Sequence, residues 1–153
     1  MTPTPKPVRA SRTEIVDLMQ PPDANLRGTV FGGKILAMVD KAAAVSAMRH
    51  AGKPCVTVAM ERVEFLVPIF IGDVVVVEAQ VNFVGRSSME VGVEVFAENV
   101  EEGRRRHTNS CLVTMVALDA KGRPSPVPAL ALETPEEKAR HAAAAARRKT
   151  RRA

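Results

Sequence analysis

The stretch NLRGTVFGGKILAMVD, residues 25–40, decides how the rest of the chain is read. Two adjacent glycines, Gly32 and Gly33, open an apolar run whose first acidic side chain, Asp40, comes two turns later. No proline interrupts the run from Gly33 to His50, and Gly52 and Pro54 close it, so the spacing predicts a helix over that span. Nearly every side of that helix is apolar, which predicts burial all round. At about 100° per residue, Asp40 shares a side with Leu36, Ala37, Ala44 and Ala47, while Lys34 and Lys41 lie on another. A carboxylate among small apolar side chains loses hydration, which makes it a stronger base unless a partner compensates. Asp40 therefore reads either as a general base or as a structural carboxylate satisfied by backbone donors or a lysine.

The glycines carry a second pair of readings. The first N–H groups of a helix are unpaired donors at its positive end, and glycine lets another group approach the backbone closely. FGG before a helix is thus either an oxyanion hole for a carbonyl under attack or a place of tight packing. Gly28, Gly33 and Lys34 also fit the phosphate-cradling pattern G-x-x-x-x-G-K. Ile35 stands where that loop needs a hydroxyl for Mg²⁺, and PPDANLR precedes it in place of a buried strand, so the reading fails. Gly33 and Asp40 are seven residues apart, about 10 Å along a helix axis. A donor polarising a carbonyl and a base activating water must both lie within a few ångströms of one carbon. One helix cannot easily do both, whereas two antiparallel copies across a two-fold axis can. The expectation is an obligate homodimer with shared sites.

Strands follow the helix. CVTVAMERVEFLV, residues 55–67, is rich in β-branched residues, and PIFIGD carries turn residues. In DVVVVEAQVNFV, alternation puts Val75, Val77, Ala79, Val81 and Phe83 opposite Glu78, Gln80 and Asn82. In MEVGVEVFAE it puts Met89, Val91, Val93, Val95 and Ala97 opposite Glu90, Glu94 and Glu98. VGRSS joins these two, and RRRHTNSCLVTMVAL forms the last long strand. With ASRTEIVDLMQ as a first strand, the predicted architecture is α+β: one long buried helix wrapped by an antiparallel sheet of five to six strands.

The 153 residues suit one domain. The expected organisation is a disordered Pro-rich lead over 1–9, the domain over 10–130, and a basic Ala-rich tail over 131–153, helical or disordered. Charge concentrates in that tail. Seven of the 22 basic residues lie in 138–153, and the remaining 15 against 17 acids leave the body at about −2. The tail reads as a frayed solvated extension, with contact to ligand phosphates or RNA as the alternative. No Trp, no Tyr and five Phe speak against base stacking, so nucleic acid is an unlikely partner. Charges break every apolar stretch well before about 20 residues, and the N-terminus has no apolar segment behind its basic residues, so the expected location is the cytoplasm, away from membranes. Cys55 and Cys111 have no CxxC spacing and read as reduced core residues. His50, His107 and His141 lie at no metal-ligand spacing.

The pattern N-x-x-G-x-x-x-G-G-x-x-x-x-x-x-D, present as Asn25, Gly28, Gly32, Gly33 and Asp40, resembles that of hotdog-fold acyl-CoA thioesterases of the acyl-CoA hydrolase subfamily. VTVAMERVEFLVPIFIGDVV at 56–75 and VGRSSMEVGVEV at 84–95 resemble its later segments in order and spacing, and the likeness spans about 10–130. The resemblance implies a hotdog homodimer, often a trimer of dimers, hydrolysing fatty acyl-CoA to free acid and CoA without metal or cofactor, CoA being part of the substrate. It implies that Asp40 activates or orients water, that Asn25 positions thioester or water from the other subunit, and that the Gly33 N–H, in the Gly32–Gly33 oxyanion region, polarises the carbonyl. Arg86, Ser87 and Ser88 are implied beside the CoA phosphates, which suits their donors; a plain hairpin turn is the other reading of GRSS. Relatives often carry His before the glycine pair, where Phe31 stands here. Two rivals accompany hydrolysis: a dehydratase or hydratase, which would need a His near the helix start, and an acyl-CoA-binding or regulatory module without a working base.

Overall fold

A computed structural model describes residues 3–152. The elements in chain order are β1 (Lys6–Pro7), β2 (Thr13–Leu18), α1 (Gly32–Ala51), β3 (Cys55–Glu61), β4 (Val74–Val84), β5 (Ser88–Asn99), β6 (Arg104–Ala117), β7 (Leu130–Ala131) and α2 (Pro135–Arg152). Five strands form one antiparallel sheet in the order β2-β4-β5-β6-β3, and β1 pairs with β7 in parallel. The long central strands are those with strict alternation in the sequence. Val75, Val77, Val81, Val91, Val93 and Val95 lose all exposure on the face that meets α1. Each such burial contributes roughly 1.5–3 kcal/mol before conformational entropy is charged against it.

Helix α1 lays Ile35, Met38, Val39, Ala42, Ala43, Ser46, Ala47 and His50 into this core at helical spacing. Gly52, at φ 66°, closes it in the left-handed conformation that glycine adopts without a Cβ penalty. Burial all round does not hold within one chain: Ala37, Lys41 and Met48 are exposed on the opposite face. Cys55 and Cys111 are free thiols, and burial pushes both upward in pKa.

Four further expectations change. The lead is ordered from Lys6, because β1 pairs with β7 and Val8–Ser11 form a short helical turn with Val8 buried; the first two residues and the last lie outside the described residues. The strand expected over 55–67 ends at Glu61, where Arg62 takes φ 60° and breaks the pairing with β6. Phe83 does not face α1. A bulge at Asn82 shifts the register, so that Phe83 pairs with Glu90 and stacks against His141 of α2, ring centroids 5.1 Å apart. Nor is the tail a frayed extension: α2 packs on the outer face of the sheet, along β4, with Ala144 fully buried. Glu90, on that face, forms an ion pair with Arg147 of α2 in which both side chains are largely buried. Basic tail and acidic sheet face are thus complementary halves of one contact.

Candidate active site

The loop before α1 is built by Asn25. Its Oδ1 accepts the N–H groups of Arg27 at 2.8 Å and Thr29 at 3.2 Å, and its Nδ2 donates to Thr29 Oγ1 at 2.8 Å. Gly28, at φ 81°, closes the turn by donating its N–H to the Asn25 carbonyl. The loop is then pinned to its neighbours, where the Val30 N–H donates to the Ile69 carbonyl in the segment between β3 and β4, and the Phe31 N–H donates to that of Asp23. Lys34, the lysine of the rejected phosphate-loop pattern, reaches Asp17 at 2.8 Å and Asp23 at 3.6 Å. The hydrogen bond to Lys34 holds Asp17 below the usual carboxylate range and raises Lys34 in turn. These contacts fix where α1 begins.

At that start Phe31 occupies the N-cap position and offers no side-chain acceptor. The glycines make room for two aromatic rings. A Cβ on Gly33 would overlap the Phe31 ring, and one on Gly32 would meet the Phe65 ring at 3.4 Å. Tight packing and a helix start without a side-chain cap therefore occur together. Phe31, Phe65, Leu66 and Phe70 are all at least half exposed around this end of the helix, an apolar rim on a single chain.

Asp40 is half-buried, less enclosed than its apolar neighbours suggested. Its partner is a hydroxyl, in place of the backbone donor or lysine that burial alone would call for: Thr57 Oγ1 donates to Asp40 Oδ1 at 2.6 Å. Thr57 lies on β3, the edge strand, next to a bulge at Val58, and its neighbours Val56 and Val58 are exposed. Sequence reasoning missed Thr57, since nothing local marks a threonine 17 residues after Asp40 as its partner.

The VGRSS segment stands elsewhere on the sheet, joining β4 to β5. It is the hairpin turn that its second reading supposed, closed by the Gly85 N–H donating to the Ser88 carbonyl at 2.8 Å, and Arg86 is exposed at its tip. Ser88 Oγ accepts from Arg148 of α2 at 2.9 Å, a contact the sequence did not announce. The histidines lie away from the helix start: His50 is buried against the Pro128 carbonyl, His107 contacts Glu94, and His141 stacks on Phe83. Among the described residues no three His, Cys, Asp or Glu side chains converge as a metal site requires, and no helix is long and apolar enough to cross a membrane.

One long helix held against a five-stranded antiparallel sheet, with a glycine-lined start and a mid-helix carboxylate, defines a hotdog thioesterase domain. Residues 27–103 match the thioesterase superfamily, and the chain belongs to that family. A Bacillus subtilis protein named as an acyl-CoA thioester hydrolase is 40% identical over 136 residues, 89% of this chain and 79% of the relative. A crystal structure of an apo-hexameric acyl-CoA thioesterase superposes with a TM-score of 0.93 at 42% identity, covering 98% of this chain and 96% of the other. The Staphylococcus aureus acyl-CoA hydrolase, solved with butyryl-CoA and CoA, gives 0.87 at 37% identity over 96% and 92% of the two chains. Variants of that enzyme with an aspartate, an asparagine or a threonine replaced by alanine have been solved as well. Its asparagine and aspartate stand 15 residues apart and its aspartate and threonine 17, the separations of Asn25, Asp40 and Thr57 here.

Proposed function

We propose that this chain hydrolyses fatty acyl-CoA to the free acid and CoA at sites shared between two copies. Asp40 of one protomer takes a proton from water as the oxygen adds to the thioester carbonyl. The N–H of Gly33 on the partner helix carries the growing charge on the carbonyl oxygen. Collapse of the adduct breaks the C–S bond, and the proton on Asp40 passes to the departing sulfur. Asn25 holds the loop that presents Gly33, and Thr57 orients the carboxylate. Arg86, Ser87 and Ser88 take phosphate groups of CoA.

The observation that carries this reading is the Asp40–Thr57 pair, a half-buried carboxylate held by one hydroxyl on an exposed strand edge, two turns from a helix start without a side-chain cap. The matching separations of the three residues replaced in the Staphylococcus relative support the same assignment. A hydratase or dehydratase is disfavoured because each histidine is engaged away from Gly33.

Surface area supports assembly. The chain exposes 8813 Å², against about 7,500 Å² for a compact monomer of its mass. The open β3 edge and the apolar rim around Phe31 and Phe65 are surfaces that a second copy would cover. The test is release of CoA thiol from short, medium and long acyl-CoAs by native protein and by Asp40→Asn. Loss of a base lowers kcat by about 10²–10⁴. Equal rates would remove Asp40 as the base, and no release from any substrate would remove the reading.

A further inference from the structure

The segment after β3 leads from the edge strand to the start of α1. Glu61 ends β3 opposite Leu112, and Arg62, at φ 60°, turns the chain off the sheet through a conformation that side chains with a Cβ rarely adopt. Val63 rests on the core, residues 64–68 are all exposed, and Phe65 sets its ring against Gly32, where a Cβ would meet it at 3.4 Å. The middle of this loop is not packed onto β6. A cavity of about 640 Å³ lies between them, lined by Arg62, Glu64, Leu66, Asn109 and Leu112 among others. The ends of the loop therefore set its position, and an arginine holds each one. Arg106 of β6 donates to the Pro68 carbonyl at 3.0 Å and pairs with Asp73 at 2.8 Å. Arg151 of α2 donates to Glu61 Oε1 at 2.7 Å and to Thr114 Oγ1 at 3.4 Å. The same guanidinium stands 3.7 Å from Glu90, which has its own partner in Arg147, so the closest engagement of Arg151 is with Glu61.

We propose that Arg151 is a positioning residue for thioester hydrolysis, acting through Glu61 and the loop to hold Phe65 against the helix start; this rests on the acyl-CoA reading above. Phe65 covers Gly32, the neighbour of Gly33, whose N–H is assigned to the carbonyl oxygen. A ring there takes the place of water beside that donor, and a hydrogen bond to developing negative charge is stronger where water is excluded. The backbone of Arg62 keeps its conformation only while its surroundings over-determine it. Freeing Glu61 lets that residue relax and the ring move off the helix. The last turn of α2 thereby reaches the site without touching substrate.

The test compares the full-length native protein with Arg151→Ala, Arg151→Lys, Glu61→Gln and Phe65→Ala by CoA release at saturating acyl-CoA, with thermal melts alongside. The Arg151–Glu61 pair is partly exposed, so Arg151→Ala should lower kcat about three- to fivefold with KM unchanged. Glu61→Gln should match it, although it leaves Arg151 beside Glu90, and Arg151→Lys should retain most of the native rate. High salt screens the pair, so native kcat should fall toward that of Arg151→Ala while the variant changes little. Phe65→Ala should lower kcat at least as far, and adding Arg151→Ala to it should cost nothing more, since the ring it positions is gone. Native kcat in Arg151→Ala or Glu61→Gln, or an undiminished second loss in the Phe65→Ala background, overturns the proposal. Amide hydrogen exchange separates this claim from hydrolysis itself. If native protein releases no CoA from any substrate, the acyl-CoA reading falls. Faster exchange across residues 62–65 in Arg151→Ala than in native protein then still supports the hold on the loop, and equal exchange removes it.

Discussion

Replacing Thr57 with valine removes one hydroxyl and keeps the shape and strand preference of the side chain. At 2.6 Å the bond from Thr57 Oγ1 to Asp40 Oδ1 falls in the short range of hydroxyl–carboxylate pairs. Hydrogen bonds to charged groups contribute about 1.5–3 kcal/mol. Thr57 is on an exposed edge, where water partly replaces the lost donor, so the lower figure applies. About 1.4 kcal/mol of transition-state stabilisation is a factor of ten in rate, and Thr57→Val should therefore lower kcat about tenfold with little change in KM. Thiol release under saturating acyl-CoA measures it, with a thermal melt to establish that the fold is intact. The double variant with Asp40→Asn sharpens the result, because a hydroxyl that acts only through Asp40 has nothing left to orient. The double variant should then be no slower than Asp40→Asn alone. Native kcat in Thr57→Val, or a further tenfold loss in the double variant, would refute the pairing.

Two further predictions concern the frame around the site. His50 is fully buried, and desolvation holds its pKa below the usual value, the Pro128 carbonyl opposing that only in part. The unfolded chain takes up a proton as pH falls through about 6.5 while the folded chain does not, so stability drops toward acid by up to about 1.4 kcal/mol per pH unit. Urea titrations at pH 8 and pH 5.5 should show this, and His50→Leu should flatten the slope. Arg147→Met leaves the Glu90 carboxylate buried with only the more distant Arg151. Breaking one half of a buried pair costs about 3 kcal/mol, so the melting temperature should fall by several degrees, whereas Glu90→Gln combined with Arg147→Met should recover part of the loss.

The parts of this molecule that were legible in its sequence are those governed by local spacing. Alternation along 74–84 and 89–98 placed the sheet, and Gly33, Asp40 and Gly52 placed the helix, because period and chain stiffness act over a few residues. Thr57 was hidden because its contact with Asp40 depends on how β3 lies over α1, which no local pattern encodes. Phe83 was assigned to the wrong face because one bulged residue, Asn82, reverses the alternation after it. The docking of α2 was missed for a related reason. A helix with seven cations and no acid in residues 138–153 looks solvated until the carboxylate of Glu90 is placed opposite Arg147. Asn25 was legible as a residue of the motif, whereas the hold of its side-chain oxygen on the Arg27 and Thr29 N–H groups was not, because that contact depends on how the loop folds back on itself.

The sharing of one site by two helices is the claim on which the mechanism depends, and subunit mixing tests it directly. Gly33→Pro deletes the N–H assigned to the carbonyl oxygen at a first-turn position where the helix backbone tolerates proline; it is made in a Phe31→Ala background, which clears the ring that a Cβ at 33 would overlap, and Asp40→Asn, in the same background, deletes the base. Each variant alone should be nearly inactive. Mixed in equal amounts under conditions where tagged subunits demonstrably exchange, they should recover about a quarter of the activity of Phe31→Ala alone, because one site in four then combines an intact helix start with an intact Asp40. Activity no greater than that of the separate variants, after exchange is demonstrated, would place both groups in the same chain and contradict the account.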